Sequence, residues 1–427
     1  MKLEVGTFSV KEMVFSSRTR WSDGALEVDK DELLRLLRED SNVGWVDVQV
    51  AKPGEPVRIV RIQDVIEPKA KAGGDAVTYP GVVGRSTNLV GRGRTHRLGG
   101  MTIMVCGEIP RENADGTKLW AGNDFTFVDM SGPGAVTPYA ETINLCISLE
   151  SAQKLHSDDW NRMAVGALLK ASDYLARAVE GQQQPERQVY DTDRRDPSLP
   201  GVVFMPVLAS VEYRLGPFTV MGPGVYGVTR LTQPWLLHPT EVMDGAVFGA
   251  YNENFTWPLT NTIVPYMCSR HGIDFNFIGV VVVRSNWESQ AEKQLMANRA
   301  AQLALDAGAQ GVIVTTNWRG QRFAETALTV QACERAGLKT VLMTQEEDNE
   351  RGTAPPLLVA FPEIVAAVST GTGGVDTTFS PVQKVIGLRE PPVHWSSEKP
   401  AIHGRYGVDH MHDLYGYGKQ GVLDFWR

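Results

Sequence analysis

The strongest constraint in this sequence is the rhythm of its C-terminal half, where short, almost wholly apolar runs alternate with helical periodicity. FIGVVVVRS, GVIVTT and TVLMTQE have strand length, and amphipathic stretches near residues 287–307 and 323–336 separate them. A strand that is apolar on both faces has to be covered on both, so this order predicts a parallel sheet flanked by helices from about residue 240 onward. Gly337 stands where the second helix would end, and LLVAF followed by a helix over PEIVAAVS continues the alternation.

The first half has a different pattern. LEVGTFSV and PVRIVRIQDVIE alternate as strands do, with one amphipathic helix at 30–39, and Gly and Pro punctuate short strands around GMTIMVCGEI and FTFVDMSGPGA. A second helix is expected at 158–180, with Met163, Leu168, Leu169, Tyr174, Leu175 and Val179 near one face. The polar, aperiodic stretch near 181–200, GQQQPERQVYDTDRRDPSLP, reads as a linker. The fold class expected is therefore α/β: a β-rich N-terminal half over 1–239, joined to a doubly wound α/β domain over 240–387. An extended tail at 388–427, rich in Pro, His, Tyr and Gly, is expected to wrap the surface or a partner subunit.

Charge and cysteine usage exclude several classes. With 50 Asp and Glu against 42 Lys and Arg, a net charge of −8, the chain lacks the concentrated positive charge that nucleic-acid binding needs. No apolar run approaches the roughly 20 residues of a spanning helix, and MKLEVGTFSVKE does not read as a signal peptide, so no membrane partner and a cytoplasmic location are expected. Cys106, Cys146, Cys268 and Cys333 are too scattered for a disulfide framework or a paired-cysteine zinc motif. Asp409, His410, His412 and Asp413 match no helical zinc spacing, and no metal is assigned.

Three glycine-rich segments invite a ligand. GVVGRSTNLVGRGRTHRLGG offers backbone N–H groups and arginines to an anion, yet it does not open a helix after a parallel strand, as a dinucleotide fingerprint must. SGPGA and TGTGG are accounted for as turns. The segment HPTEVMDGAVFGAYNENFTWP, residues 238–258, is more informative: it sets Glu241 and Asp244 beside His238 at the junction of the two halves. Paired carboxylates can divide acid and base duties when their environments differ, while a capped helix start with an acidic first turn explains the same spacing.

TEVMDGA at 240–246, together with RHGIDFNFIGVV, GRTHRL, DMSGPGA, VRIVRIQDVIEP and TINLC, resembles the alpha/beta proprotein of component B of the glycine, sarcosine and betaine reductases. The D-proline reductase proprotein is a more distant likeness. The resemblance spans about residues 3–387, with 1–239 alpha-like and 240–387 beta-like. It implies a substrate-specific subunit whose proprotein is cut before a cysteine shortly after the TEVMDGA motif, leaving a pyruvoyl group. That carbonyl takes up a substrate amine as an electron sink, and a partner's selenocysteine or cysteine displaces the amine.

This chain departs from that pattern at the decisive place. It has Ala250, Tyr251 and Asn252 where an Asn–Cys pair is expected, and residues 211–267 contain neither Cys nor Ser. Pyruvoyl formation needs such a side chain to attack the preceding peptide bond, so no pyruvoyl cofactor is expected. The resemblance then leaves two readings: a pyruvoyl-free subunit of a component B-like complex that holds a small amine, betaine or similar substrate, or a catalytically silent scaffold or regulatory subunit. In the first, Glu241 and Asp244 shuttle protons, Arg94 and His96 bind a substrate carboxylate, and Tyr251 and Trp257 line the pocket or stack on a cation. The implied partner is a gamma-like subunit carrying Cys or selenocysteine, in a hetero-oligomer.

Overall fold

Ile278 and the run Val280–Val283 make the nine-residue strand Asn276–Arg284 strongly apolar, and all nine residues are buried because the strand runs inside a six-stranded sheet. The computed structural model describes residues 1–72, 89–110, 127–135, 137–208, 224–226, 229–248, 256–261, 263–285, 289–316, 321–346, 355, 357–372 and 379–398. The sheet order is Trp235–Leu237, Asn276–Arg284, Gly201–Leu208, Gly311–Thr316, Lys339–Glu346 and Ala367–Thr372, parallel throughout except for its first strand. It is covered on both faces, as the apolar runs require. Val203, Met205 and Val207 face the alanine stripe of the helix Gln290–Asp306 and the helix Gln321–Arg335, while Phe204 and Leu208 face a second core shared with the first half.

Local chemistry sets the ends of these helices. Ser289 and Glu292 form a reciprocal capping box at Gln290–Asp306. Gly337, at φ +89°, closes Gln321–Arg335, with Leu338 N–H donating to the Cys333 carbonyl and Gly337 N–H to that of Glu334.

The sequence rhythm and the structure part company at three places. The central strand Gly201–Leu208 lies well ahead of residue 240, so the sheet draws on the chain before the change of rhythm. The last three residues of the expected helix PEIVAAVS, 367–369, instead open the last strand, Ala367–Thr372, an exposed edge paired with Lys339–Glu346. Within the stretch read as a linker, Glu186–Asp191 is an edge strand antiparallel to Lys2–Ser9. Five of its six residues are exposed, which is why it carries no apolar alternation.

The first half is β-rich, with two four-stranded sheets, the helix Lys30–Leu37, here α1, and the helix Ser157–Ala176, here α2, which buries Met163, Leu168, Leu169 and Leu175 as the periodicity predicts. VRIVRIQDVIEP and DMSGPGA meet through a fully buried pair: the Arg58 guanidinium donates to both Asp129 carboxylate oxygens, at 2.5 and 2.8 Å. Arg58 also donates to the carbonyls of Trp395 (2.6 Å), Ser397 (2.9 Å) and Ser380 (3.1 Å), so this one side chain pins residues 380–397 onto the N-terminal half. Trp395 is buried against Phe127, and of the expected extended tail only residues 388–398 lie within the described range.

Removing one partner of a buried pair leaves an uncompensated charge, at a cost of about 3–5 kcal/mol. Arg58→Ala is therefore expected to lower the unfolding free energy by that much, read as a lower denaturant midpoint at unchanged m, and to expose residues 380–397 to protease before the rest of the chain. A variant with unchanged stability and proteolysis would show that the pair does not hold the strap.

Candidate functional site

The first four residues of TEVMDGA lie in a five-residue helix, Pro239–Met243, here called α3, whose local signals are all in the sequence. Proline occupies the first turn, His238 is the N-cap, and the Glu241 carboxylate reaches back to accept the His238 N–H at 2.7 Å. The other Glu241 oxygen accepts the Tyr226 hydroxyl, and burial together with that carboxylate pushes the Tyr226 phenol well above its usual range. Gly245, at φ +86°, lets the chain leave the helix. Burial lowers the His238 imidazole to about 4, and its Nδ1 lies 2.7 Å from Thr240 Oγ1.

Asp244, the C-cap of α3, is fully buried. It accepts the Gly91 N–H at 2.8 Å and the Thr95 hydroxyl at 2.6 Å, and it pairs with the Lys71 ammonium. Only glycine serves at position 91: φ is +89°, and a Cβ there would lie 2.7 Å from the Glu241 nitrogen. Beneath α3, Lys69 donates to the Met243 carbonyl (3.3 Å) and Asn261 Oδ1 (3.2 Å) and lies 3.4 Å from Glu67, which Arg97 approaches at 3.6 Å. Desolvation lowers the Lys69 amine from its ordinary value.

The predicted site residues divide between two faces. Lys69–Lys71 pairs antiparallel with Gly93–Gly99, setting Lys69 opposite Arg97, Ala70 opposite His96 and Lys71 opposite Thr95. Side chains alternate along a strand, so Thr95 and Arg97 share the α3 side with Lys69 and Lys71, whereas Arg94 and His96 point the other way. Arg94 ion-pairs with Glu4 at 2.5 Å, and Glu4 also pairs with Arg187 at 2.6 Å. His96 is buried beside Phe8, its Nε2 has no hydrogen-bond partner, and its ring helps line a cavity of about 270 Å³ with Arg177 and Glu180. Glu241 and Asp244 are thus brought together, and Arg94 and His96 are brought together, but not the two pairs with each other. Tyr251 lies outside the described residues, and Trp257 is placed only as a position in the helix Thr256–Asn261, here α4.

Sequence reasoning missed Lys71, Thr95, Gly91, Tyr226 and Lys69. Period-two alternation through GRTHRL carried part of the signal, since it separates Thr95 from Arg94 and His96. Among the described residues no group of three or more His, Cys, Asp or Glu side chains is arranged to hold a metal, and no helix is long and apolar enough to cross a membrane. The four cysteines are all free thiols. Cys268 sits in the helix Ile263–Arg270, here α5, its Sγ 3.9 Å from Met243 Sδ, with burial pushing the thiol up to about 12.

A family model for glycine/sarcosine/betaine reductase component B subunits matches residues 1–396. The sarcosine reductase complex component B subunit alpha of Peptoclostridium acidaminophilum is 31% identical over 405 residues, covering 91% of this chain and 90% of that protein. The betaine reductase complex component B subunit alpha of the same organism is 31% identical over 408 residues, covering 91% and 88%. The glycine reductase complex component B subunits alpha and beta of Acetoanaerobium sticklandii are 30% identical over 401 residues, covering 91% and 89%. No solved structure matches this chain.

The geometry makes Asp244 the anchor of the site and Glu241 a cap. Asp244→Asn is expected to cost about 3 kcal/mol of unfolding free energy, because the nearly buried Lys71 ammonium loses its counter-charge. Glu241→Gln, which keeps an oxygen for the His238 N–H, is expected to cost about 1 kcal/mol. Urea denaturation of both variants measures the difference, and the opposite ranking would overturn the assignment.

Proposed function

The chain belongs to the family of glycine/sarcosine/betaine reductase component B subunits, and from that premise we propose that it acts in such a complex as an unprocessed, pyruvoyl-free subunit. One observation carries this reading: residues 211–267 contain no Cys or Ser, so the polypeptide after TEVMDGA has no side chain of the kind that becomes a pyruvoyl group. The nearest cysteine does not substitute for it. Cys268 lies within α5, and its thiol is held in the neutral form by burial, where a nucleophile is weakest.

In this reading the substrate is a small molecule whose carbon already bears a good leaving group, a cationic amine or a non-amine heteroatom, so no electron sink is needed. A gamma-like partner subunit supplies a thiolate or selenolate. Its sulfur or selenium forms the new bond to carbon as the carbon–heteroatom bond breaks and the leaving group departs with the electron pair. The Tyr226 hydroxyl and Glu241 form the hydrogen-bonded pair suited to passing a proton, Asp244 holds Lys71 in place, and Tyr251 and Trp257 are assigned to substrate binding. The complex is a hetero-oligomer in the cytoplasm.

A second reading has its own support. Both oxygens of Glu241 and both of Asp244 are already engaged by Tyr226, His238, Thr95, Gly91 and Lys71. A scaffold or regulatory subunit that keeps the fold and a partner interface needs no more than that.

Intact-mass measurement tests the processing: one species near 46.9 kDa is expected, and two fragments meeting within residues 240–262 would refute it. Copurification with a Cys- or selenocysteine-bearing subunit, followed by turnover of small amines, betaines or thioethers, separates enzyme from scaffold. Glu241→Gln is expected to lower turnover about 10²-fold if Glu241 moves a proton. Unchanged turnover would remove it from that role.

A further inference from the structure

The short helix α4, Thr256–Asn261, is held from opposite ends by two buried ionisable groups from one short stretch of the N-terminal half, Asp64 and Lys69, which lie on consecutive strands of two different sheets. At its start, Asp64 on the strand Ile62–Ile66 accepts the Thr256 N–H at 2.7 Å on one oxygen and the Thr256 hydroxyl at 2.9 Å on the other. At its end, the Lys69 ammonium donates to Asn261 Oδ1 at 3.2 Å and to the Met243 carbonyl at 3.3 Å, tying α4 to the end of α3. An acidic group at the N-terminal end and a basic group at the C-terminal end follow the polarity of a helix. Asp64 is 3% exposed and Lys69 4%, so water solvates neither while α4 is docked.

We propose that Asp64 and Lys69 form a proton-dependent latch that fixes the position of α4, with Asp64 as the positioning residue for the polypeptide entering that helix. Both protonation states of Asp64 can bond Thr256, but they differ in cost. The neutral acid can donate to the Thr256 oxygen, whereas the anion accepts from the N–H and the hydroxyl and sits desolvated. Val65 N–H also donates to Asp64, at 2.7 Å, and burial outweighs all three donors, raising the carboxyl to about 7. The docked state therefore keeps a proton that an undocked, hydrated Asp64 releases near 4. By linkage, docking is strongest below that lower value and weakens as pH rises towards about 7. The charged groups acting on the other end are Glu67, Arg97 and Asp244, all facing Lys69. Burial lowers the Lys69 amine, which gives its own proton linkage the opposite sign, so the Asp64 contribution is read against a variant that lacks it.

The latch rests on the proposed function only for its consequence, since α4 carries Trp257 and follows Tyr251. Its test needs no ligand, partner or turnover. Hydrogen–deuterium exchange of the full chain, corrected for intrinsic exchange, is followed in peptides covering 256–261 from about pH 5 to 8 in the wild type, Asp64→Asn and Lys69→Met. The ratio of the wild-type opening constant to that of Asp64→Asn is expected to rise about tenfold per pH unit up to near pH 7 and then level off. Peptides from Gln290–Asp306 should not follow it. Lys69→Met is expected to open α4 at every pH and to keep the Asp64-dependent rise, which provides the test if Asp64→Asn folds poorly. A pH-independent ratio, or a rise shared by the whole chain, would overturn the latch. The same exchange profile in Lys69→Met as in wild type would remove Lys69 from it.

Discussion

A buried carboxylate has to be satisfied by whatever donors the fold can bring to it, and Asp244 draws its donors from far along the chain. Its hydroxyl donor, Thr95, is 149 residues away and its amide donor, Gly91, 153 residues away. Lys71 arrives on the neighbouring strand. Because these groups belong to the first half and α3 to the second, satisfying one aspartate fixes how the two halves meet. The close approach of Gly91 to the Glu241 nitrogen follows from the same requirement, as does the positive φ that admits only glycine there.

The Arg58–Asp129 pair works on the same principle with a different result. Desolvating two charges costs several kcal/mol per ion, and mutual attraction offsets this only with good geometry and further hydrogen bonds. Arg58 reaches that condition by spending its remaining N–H groups on three carbonyls of residues 380–397. The desolvated pair therefore specifies where the late segment lies, in a position that apolar contact with Trp395 alone would leave free to slide. Burial raises the Asp129 carboxyl above its ordinary value and the Arg58 contacts oppose that, so charge and location are set by the same bonds.

The parts of the fold legible in the sequence were those governed by local periodicity. The buried strands at 276–284 and 311–316, and the helices ending at Asp306 and Arg335, follow from apolar spacing and caps. Glu186–Asp191 and Ala367–Thr372 did not, because an exposed edge strand is defined by its partner's backbone and needs no pattern of its own. The site divides in the same way. Glu241 and Asp244 stood out because a capped helix start is a local signal, while Lys71 and Thr95 are specified by a strand register that no local pattern contains.

These contacts bear on what the TEVMDGA segment is for. His238, Pro239, Glu241 and Gly245 each have a role in starting, capping or ending α3, and Asp244 has a role in joining the halves. A chain without a pyruvoyl group would still need every one of them to fold, so their presence does not by itself argue for chemistry. What folding leaves open is why ionisable groups hold this junction: a Tyr226 hydroxyl on Glu241, a Lys71 ammonium on Asp244, and an Asp64 carboxyl raised to about 7 at the start of α4. Apolar residues would fill such a junction at lower desolvation cost. Under the proposed pyruvoyl-free reading such groups would be the chain's own contribution, because its part in bond cleavage would reduce to holding the substrate and handling protons.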